Sequence, residues 1–448
     1  MGVIHRTQER TTFDAIVVGS GMSGGWAMKE LCEAGLEVLV LERGRMVEHA
    51  VDYVTEHKSP WEMPYRGQIP PEVRDRDYPV QQRTFALTGY TQHYFYKDAD
   101  VPIVEEEPFT WVQSAIVGGR TVLWGRQSYR WSPMDFEANL ADGHGVDWPI
   151  RYEDVAPWYD HIESQIGVSG SSDGLPQLPD GRFQRPMEMN AVELHAKARI
   201  EEAFPGRSMI IGRTATLTEP LDDRAPCHYC GPCSRGCSTG SYYSTQSVAL
   251  PAARRTGNLT LLPHSVVHSV LDDAERNQAS GVRVIDAETG AEREYTARVV
   301  FLCASAMGTA RIMLHSKSAR FPDGIANSSG HVGRNVTEHH ARVGATGVFD
   351  GFEDRYYQGN RPNGIYIPRF RNLDRETRHP GFERGYGLQG RASRIGWGRG
   401  RGMAGFGVGF KEQLRTPGRW RMQLQAFGEF LPRPENRCTL DSEVKDRW

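Results

Sequence analysis

The sequence lacks the features that mark several large classes of protein. Lysine and arginine number 53 against 56 aspartate and glutamate residues, so the formal net charge is −3. A protein that binds nucleic acid or an anionic membrane through its overall charge carries a basic excess instead. No apolar run approaches the roughly 18–20 residues of a membrane-spanning helix, and residues 1–12 contain no apolar stretch typical of a secretory signal. We therefore expect no nucleic-acid partner and no transmembrane segment.

Repeats and several enzyme motifs are missing as well. The chain has no fixed-period repeat, no GxSxG elbow, no HExxH and no P-loop. It therefore lacks the motifs on which hydrolase and kinase mechanisms depend. Residues 385–409 are rich in glycine and arginine, and an RNA-binding tail is the alternative interpretation of this tract. Its interleaved aromatic and apolar residues favour a twisted, partly solvated sheet.

The composition that is present indicates a large globular protein. The 448 residues give room for two or three domains of about 150 residues each. Hydrophobic residues make up 39% and charged residues 24%, which is sufficient for a sizeable core. Glycine accounts for 48 residues, which indicates many tight turns and close backbone approaches.

The most informative pattern lies near the N-terminus. Residues 13–18 (FDAIVV) and 36–41 (LEVLVL) predict two buried strands, and residues 26–34 predict a helix between them. A G-x-G-x-x-G sequence separates the first strand from the helix, and an acidic residue follows the second strand. The three glycines suit a tight turn, a close approach to pyrophosphate and helix packing, while the acid suits a ribose diol. A plain structural turn is the alternative. We predict that seven residues bind a dinucleotide: Gly19, Gly21, Met22, Ser23, Gly24, Glu42 and Arg43.

Further elements can be predicted downstream. Residues 115–118 resemble a strand, residues 191–204 a helix, and residues 259–303 a series of strands. The AETG sequence within that series is typical of a hairpin turn.

Four of the seven cysteines lie within eleven residues, as Cys227-x2-Cys230-x2-Cys233-x3-Cys237. The spacing equals that of bacterial ferredoxins, although Ser238 replaces the expected proline. An iron–sulfur cluster and zinc both suit this spacing, and a pair of disulfides or a thiol-rich turn is the alternative. Cys32, Cys303 and Cys438 are scattered, and we expect them to be buried apolar groups.

Four segments together resemble the glucose-methanol-choline (GMC) family of flavoprotein oxidoreductases. They are the N-terminal glycine motif, residues 117–127 (VGGRTVLWGRQ), residues 301–316 (FLCASAMGTARIMLHS) and residues 325–340 (IANSSGHVGRNVTEHH). Residues 147–163 and the cysteine cluster are similar to the bacterial branch with gluconate and fructose dehydrogenase large subunits and glucoside 3-dehydrogenases. The resemblance assigns His339 and His340 to a structural element.

The resemblance implies an α/β fold in which a Rossmann-like FAD-binding domain is interleaved with a sheet-based α+β substrate domain. We predict seven segments along the chain: the first part of the FAD-binding domain (1–50), an excursion or lid region (51–110), the FAD-binding loop with connecting helices (111–168), a linker and helix (169–226), the cysteine cluster (227–240), the second part of the FAD-binding domain (241–343) and an incomplete substrate domain (344–448).

The resemblance also assigns cofactor contacts. A loop over the flavin ring supplies Gly118, Gly119, Thr121, Trp124 and Gly125. Some relatives attach the flavin through a histidine just before the tryptophan of this loop, and Leu123 stands there in this chain. We therefore predict non-covalent FAD. The resemblance further places the backbone of Val267 at the adenine and Ala304 and Ser305 beside the FAD cleft. For the cysteine cluster it implies an iron–sulfur relay.

The implied reaction is oxidation of a CH–OH group of a sugar, sugar acid or glucoside, with proton abstraction by a histidine and hydride transfer to flavin. The family's catalytic histidine follows a segment like residues 436–448, so we expect a truncated chain whose catalytic residues lie beyond Trp448 and which is inactive alone. No catalytic residue is assigned within this sequence. An oxygen-dependent alcohol, sterol or pyranose oxidase is one alternative, and a non-catalytic flavin-fold binding protein is another.

The predicted partners are a small sugar-type substrate, a small subunit, and a cytochrome or quinone electron acceptor. The sequence alone predicts a cytoplasmic location, and the branch resemblance adds a periplasmic location by co-export with a partner.

Overall fold

The computed structural model describes residues 10–341, 343–357 and 359–448. Residues 1–9 of the predicted first segment lie outside the described residues. In the described part of the chain the strands are β1 (Thr12–Val18), β2 (Val38–Leu41), β3 (Val168–Ser169), β4 (Phe183–Gln184), β5 (Ile210–Ile211), β6 (Leu259–Leu262), β7 (Ser265–Asp273), β8 (Gln278–Asp286), β9 (Glu292–Leu302), β10 (His339–His340), β11 (Gly344–Phe349), β12 (Ile365–Ile367), β13 (Gly387–Arg394) and β14 (Trp420–Glu429).

The α-helices of the same residues are α1 (Met22–Glu33), α2 (Pro71–Asp77), α3 (Pro133–Phe136), α4 (Ala138–Asp142), α5 (Tyr152–Ile166), α6 (Ala191–Ala203), α7 (Ala249–Thr256), α8 (Ala306–His315) and α9 (Gly407–Arg415). None of these helices has the length and apolar character needed to cross a bilayer.

The chain forms two compact units. The first contains the described residues of Met1–Gly125 together with Pro232–Val336 and Arg433–Trp448. The second contains the described residues of Arg126–Gly231 and Thr337–Pro432. Each unit is therefore assembled from separated stretches of sequence. The finer division into seven segments stays a prediction.

A mixed sheet with the strand order β6-β2-β1-β9-β8-β7 organises the first unit. Strands β6, β2, β1 and β9 are parallel, and β8 pairs antiparallel with both β9 and β7. Along β1, Ile16 and Val18 belong to one hydrophobic cluster, whereas Ala15 and Val17 belong to the cluster that contains Met28 of α1. Burial on both faces explains why residues 15–18 of this strand form a continuous apolar run.

The elements predicted for this unit are largely confirmed. The first strand, the second strand and the later strand series form where expected, although α1 begins at Met22, four residues before the predicted start. The predicted hairpin connects β8 and β9, where Asp286 N donates to Ala291 O over 2.9 Å. The strand predicted at 115–118 is wrong. Ile116 makes only an isolated bridge to Arg45, because Gly118 takes a left-handed φ of +84° and turns the chain.

An antiparallel sheet with the order β10-β14-β13-β12-β5 forms the frame of the second unit, and β11 also pairs with β14. One face packs against α6 through a core that includes Val192, Ile365, Trp420 and Met422. Because side chains alternate along a strand, the residues between these core positions point to the opposite face. The predicted helix at 191–204 is confirmed as α6.

The glycine- and arginine-rich tract departs from its prediction. Strand β13 ends at Arg394, and the prediction that the sheet continues through residue 409 is wrong. A 3-10 helix (Trp397–Gly402) and α9 follow. The Arg399 guanidinium donates hydrogen bonds to the carbonyls of Gln413 and Thr416 over 2.7 and 2.6 Å, which folds the tract back on itself.

A buried ion pair holds α5 in the second unit. Arg130 Nε donates to Glu163 Oε1 over 2.9 Å, and a second guanidinium nitrogen contacts the other carboxylate oxygen. Arg130 also reaches Asp160 Oδ1 at 2.5 Å. Both Arg130 and Glu163 are buried, so neither charge has water as an alternative partner.

Replacing Glu163 by glutamine removes the buried counter-charge of Arg130. Loss of one partner of a buried pair destabilises by about 3–5 kcal/mol, and the retained Asp160 contact places the expected loss near the lower end of that range. Urea denaturation measures the change in the free energy of unfolding. Glu202→Gln, in the exposed pair with Arg199, is the control, with an expected change below about 0.5 kcal/mol. Equal stability of the two variants would contradict this account.

Candidate functional site

The turn between β1 and α1 is packed too closely for side chains at two of its glycines. Gly19 has a φ of +91°, and a Cβ at this position would lie 2.5 Å from the carbonyl oxygen of Cys303. A Cβ at Gly24 would overlap the carbonyl oxygen of Gly19. These two glycines therefore let the turn and the first helical residues lie against the end of β9.

Gly21 differs from its two neighbours in the motif. It is the N-cap of α1, and a Cβ built on it meets no atom of the described residues within 4 Å. The first turn of α1, which includes the exposed Met22 and Ser23, has no side-chain cap and no acidic residue. The helix N-terminus is therefore available to an anion, with open space in front of its backbone.

Glu42 follows β2 directly and is held by backbone and side-chain donors. Its Oε2 accepts hydrogen bonds from Ser20 N (3.1 Å) and Ser20 Oγ (2.6 Å), and its Oε1 accepts one from Gly44 N (2.8 Å). A carboxylate has about four acceptor positions, so these bonds orient Glu42 and leave capacity for a ribose diol.

The predicted flavin loop, which follows Ile116, is attached by a hydrogen bond and a close contact to the glycine turn between β1 and α1. Gly118 N donates to Ser20 Oγ over 2.8 Å, which links the loop through Ser20 to Glu42. A Cβ at Gly119 would lie 3.2 Å from Gly21 Cα. Thr121 Oγ1 donates to Gly118 O over 2.7 Å and closes the turn. The structure therefore brings the loop and the glycine motif together.

A polar segment at residues 241–247 joins both of them, and the sequence did not reveal it. Thr245 N donates to Thr121 Oγ1 over 3.1 Å, and Thr245 Oγ1 donates to Ser20 O over 3.2 Å. The Gln246 amide donates to Val117 O and fills the space that a side chain at Gly118 would occupy. Thr245 and Gln246 are buried. No motif distinguishes them; a polar run before the apolar helix α7 is the one available signal.

The other loop residues have separate surroundings. Trp124 Nε1 donates to Tyr243 O over 3.0 Å, and Tyr243 in turn stacks on Trp26 with ring centroids 5.9 Å apart. A Cβ at Gly125 would meet no described atom within 4 Å. Leu123 is buried among apolar side chains.

Arg43 lies between two aromatic rings. Its guanidinium is 4.6 Å from the ring centre of Tyr96 and 5.6 Å from that of Trp448, and its Nη2 donates to Gln113 Oε1 over 3.2 Å. Burial raises the pKa of Tyr96 to about 12, so the phenol is neutral beside the cation. This arrangement fixes the residue that follows Glu42.

The remaining predicted cofactor residues lie on neighbouring strands. Ser265 N donates to Glu42 O over 2.9 Å, which places the start of β7, and Val267 two residues later, beside Glu42. Ala304 and Ser305 connect β9 to α8, and Ser305 has a φ of +69°. The Cα of Ala304 would lie 3.1 Å from a Cβ at Gly19.

The predicted metal site at the cysteine cluster is not supported. Cys227 and Cys230 belong to the second unit, and Cys233 and Cys237 belong to the first. Across the described residues, no group of three or more histidine, cysteine, aspartate or glutamate side chains is arranged to hold a metal ion. Of the scattered cysteines, Cys32 is fully buried as expected and burial raises its pKa to about 11, while Cys303 and Cys438 are half-buried.

The second unit contains a cavity of about 270 Å³ on the face of its sheet opposite the apolar core. Of the described residues that line it, Arg391 alone carries a charge. Carboxamides supply most of the polar lining: Gln127, Asn363, Gln389, Gln423 and Gln425.

Asn363, one of the lining residues, has a buried acceptor without a partner. It is 2% exposed, and its Nδ2 donates to Gly212 O over 2.5 Å. Its Oδ1 is buried and has no hydrogen-bond partner among the described residues. An unpaired buried carbonyl costs about 1–3 kcal/mol, so the fold holds this amide at a cost in free energy.

The residues of this site lie in the part of the chain that matches a known protein family. The model of the GMC oxidoreductase family matches residues 13–341, well over half of the chain. The chain belongs to the GMC oxidoreductase family. The matched range contains the glycine motif, the flavin loop, the 241–247 segment and the end of β9, so the family match and the geometry refer to the same residues.

Several curated proteins are similar to most of this GMC oxidoreductase. A 2-methyl-1,2-propanediol dehydrogenase from Mycolicibacterium austroafricanum is 30% identical over 97% of this chain and 74% of its own. A fructose dehydrogenase large subunit from Gluconobacter japonicus is 26% identical over 98% of this chain and 78% of its own. A gluconate 2-dehydrogenase flavoprotein from Pantoea cypripedii is 26% identical over 72% of this chain and 55% of its own. The chain is an oxidoreductase acting on CH–OH donors.

Membership of the GMC family implies FAD, and the residues present fit this cofactor. Gly21 offers an open backbone and an uncapped helix N-terminus for the pyrophosphate, and Glu42 has spare acceptors for the ribose. The individual contacts predicted from the sequence stay predictions.

Gly21→Val tests the pyrophosphate position. Because a side chain at Gly21 meets no described atom, we expect the apoprotein to keep its melting temperature while FAD affinity falls at least about a hundredfold through a clash with the pyrophosphate. Fluorescence titration with FAD measures the affinity. Gly347→Val, at an equally open glycine of β11, is the matched control and should bind FAD normally. Normal FAD binding by Gly21→Val would show that the pyrophosphate lies elsewhere.

Gln246→Ala tests whether the Gln246 amide holds the flavin loop in position. The variant loses the hydrogen bond to Val117 and opens space beside Gly118, so we expect FAD to bind about tenfold more weakly. The same titration applies, together with the flavin absorption spectrum as a measure of ring environment. Gln82→Ala removes a half-buried glutamine whose amide donates only to Pro79 O, and it should match the unchanged protein in both. Unchanged affinity and spectrum in Gln246→Ala would rule out the fastening role.

Proposed function

We propose that this GMC oxidoreductase is a dehydrogenase that acts on a polyhydroxylated compound of the sugar or polyol type. The observation that carries the proposal is the carboxamide-lined cavity of the second unit. A carboxamide both donates and accepts hydrogen bonds, so a row of them matches hydroxyl groups, which do the same.

The position of the amides on the sheet supports this interpretation. Gln389 pairs with Gln425 across β13 and β14, and Arg391 pairs with Gln423. The Cβ atoms of such pairs lie about 5 Å apart on one face, so two neighbouring side chains can contact one ligand. Gln389 and Gln423 make no side-chain hydrogen bond to other described residues, so their amides are available to a ligand.

The charge of the cavity narrows the substrate class. No carboxylate is among its described lining residues, so a cationic substrate has no counter-charge there. Arg391 accommodates a neutral sugar or a sugar acid. The names of the relatives, which include a fructose dehydrogenase and a propanediol dehydrogenase, support substrates with neighbouring hydroxyl groups.

The chemistry that bound FAD supplies is acceptance of a hydride from the carbinol carbon. In this chain Gly21 and α1 would bind the pyrophosphate, Glu42 the ribose, and the loop at Gly118 and Gly119 the flavin ring. We propose that the FAD is non-covalent, because Leu123 offers no nucleophile. We propose a small-subunit partner, which the relative named as a large subunit supports. An external cytochrome or quinone electron acceptor is part of the same proposal. The cytoplasmic and periplasmic locations stay predictions.

Ligand binding tests the substrate class without requiring turnover. Isothermal titration calorimetry of the FAD-loaded protein with fructose, glucose, gluconate and choline should show binding of at least one sugar or sugar acid and none of choline. In Gln389→Ala/Gln423→Ala we expect about tenfold or greater loss of affinity for that ligand, because two hydrogen-bonding amides are removed.

Gln278→Ala, at an exposed glutamine of β8, is the matched control and should bind the ligand normally. Binding of choline in preference to every hydroxylated compound would overturn the proposed class. Where a ligand is oxidised, an oxygen electrode distinguishes the two reaction types: peroxide production would replace the dehydrogenase proposal by an oxidase.

A further inference from the structure

The loop between β13 and β14 forms a folded element of its own, residues 395–418, which we call the arginine-rich excursion. Two backbone hydrogen bonds close its base: Gly418 N donates to Ile395 O, and Ile395 N donates to Arg419 O, each over 2.9 Å. Beyond this base lie the 3-10 helix and α9. The excursion therefore begins and ends within the framework of the sheet.

Contacts inside the excursion hold its two helical segments together. Arg399 donates to the carbonyl groups of Gln413, Thr416 and Gly396. Gly400 lies against Leu414, whose Cδ1 would be 2.8 Å from a Cβ at that glycine. Because the segments are already ordered, little conformational entropy would be lost when a partner binds.

The excursion points its large apolar side chains outward. Trp397 is 69% exposed, Phe406 is 94% exposed and Val408 is 76% exposed. Trp397 stands between Gly396 and Gly398, and Phe406 between two further glycines, so no neighbouring side chain covers either ring. Large apolar side chains that are exposed on one ordered element indicate an interaction surface.

Positive charge accompanies these apolar groups. The excursion contains four basic residues (Arg399, Arg401, Lys411 and Arg415) and a single acidic residue, Glu412, which pairs with Arg415 over 2.7 Å. Arg401 and Lys411 are exposed and make no ion pair with other described residues. The excursion is therefore locally basic, although the formal net charge of the whole chain is −3.

We propose that the arginine-rich excursion binds the surface of an anionic lipid bilayer. Tryptophan and phenylalanine insert at the headgroup level of a membrane, and lysine and arginine pair with lipid phosphates. Three separate apolar side chains on a basic element suit the surface of a bilayer. They suit a protein partner less well, because such an interface needs about 800 Å² of continuous complementary area on each side. Such peripheral attachment requires no spanning helix, and it is additional to the proposed reaction.

Vesicle co-sedimentation tests the proposal with the FAD-loaded protein. We expect binding to phosphatidylcholine vesicles that contain phosphatidylglycerol and little binding to phosphatidylcholine alone. Trp397→Ala/Phe406→Ala should weaken binding at least about tenfold through loss of apolar insertion. Arg401→Gln/Lys411→Gln should weaken it about thirtyfold through loss of two charges. Trp61→Ala/Phe85→Ala, which removes a tryptophan and a phenylalanine that are each 81% exposed elsewhere, should bind like the unchanged protein.

Three results would overturn the proposal. The first is no binding of the unchanged protein to the anionic vesicles. The second is equal binding by the Trp397/Phe406 and Trp61/Phe85 variants, which would show attraction without insertion. The third is self-association on size-exclusion chromatography that is lost in Trp397→Ala/Phe406→Ala without vesicle binding, which would assign the surface to a protein contact. Circular dichroism confirms that each variant is folded.

Discussion

The first unit depends on a close approach of backbones at the turn after β1. Gly19 lies against Cys303 at the end of β9, Gly24 lies against Gly19, and Gly119 of the flavin loop lies over Gly21. Any side chain at the first two positions would collide with backbone, which cannot move away cheaply. Segments about one hundred and three hundred residues apart in the sequence can therefore meet there, and Ser20 joins them by hydrogen bonds to Glu42 and Gly118.

The two sheets differ in which of their faces are buried. Strand β1 is buried on both faces, which leaves its carboxyl end and the following glycine turn as the place where a ligand can approach. Strands β13 and β14 bury one face on α6 and leave the other face polar. The polar face of the second sheet offers side-chain amides, which suit the proposed hydroxylated substrate. The glycine turn of the first unit offers backbone groups, which suit the pyrophosphate of FAD.

Much of the first unit could be predicted from the sequence because its signals are local. The glycine spacing, the buried strand runs and Glu42 lie within thirty residues, and the structure shows them in the expected order. Thr245 and Gln246 could not be predicted in the same way, because their importance comes from contacts with Ser20, Val117 and Thr121 that are distant in the sequence.

Two local signals of the sequence have different outcomes. The cysteine spacing predicts a metal site, which is not supported, because no group of three or more potential ligands among the described residues is arranged to hold a metal ion. The interleaved aromatic and apolar residues of 385–409 predict a sheet, but the strand ends at Arg394 and helices follow, with Arg399 donating to the carbonyls of Gln413 and Thr416. A side chain that captures backbone carbonyls in this way leaves no periodic pattern in the sequence. The amides of the cavity are likewise scattered from Gln127 to Gln425 and meet only in the folded sheet.

The central claim is that the glycine turn after β1 and the loop at Gly118 and Gly119 bind FAD. The absorption spectrum of the purified chain tests this claim most directly. We expect a flavin band at about 450 nm with one FAD per chain, released when the protein is denatured and washed. A folded chain that stays colourless after incubation with FAD would contradict the account, and colour that remains after denaturation would contradict non-covalent binding.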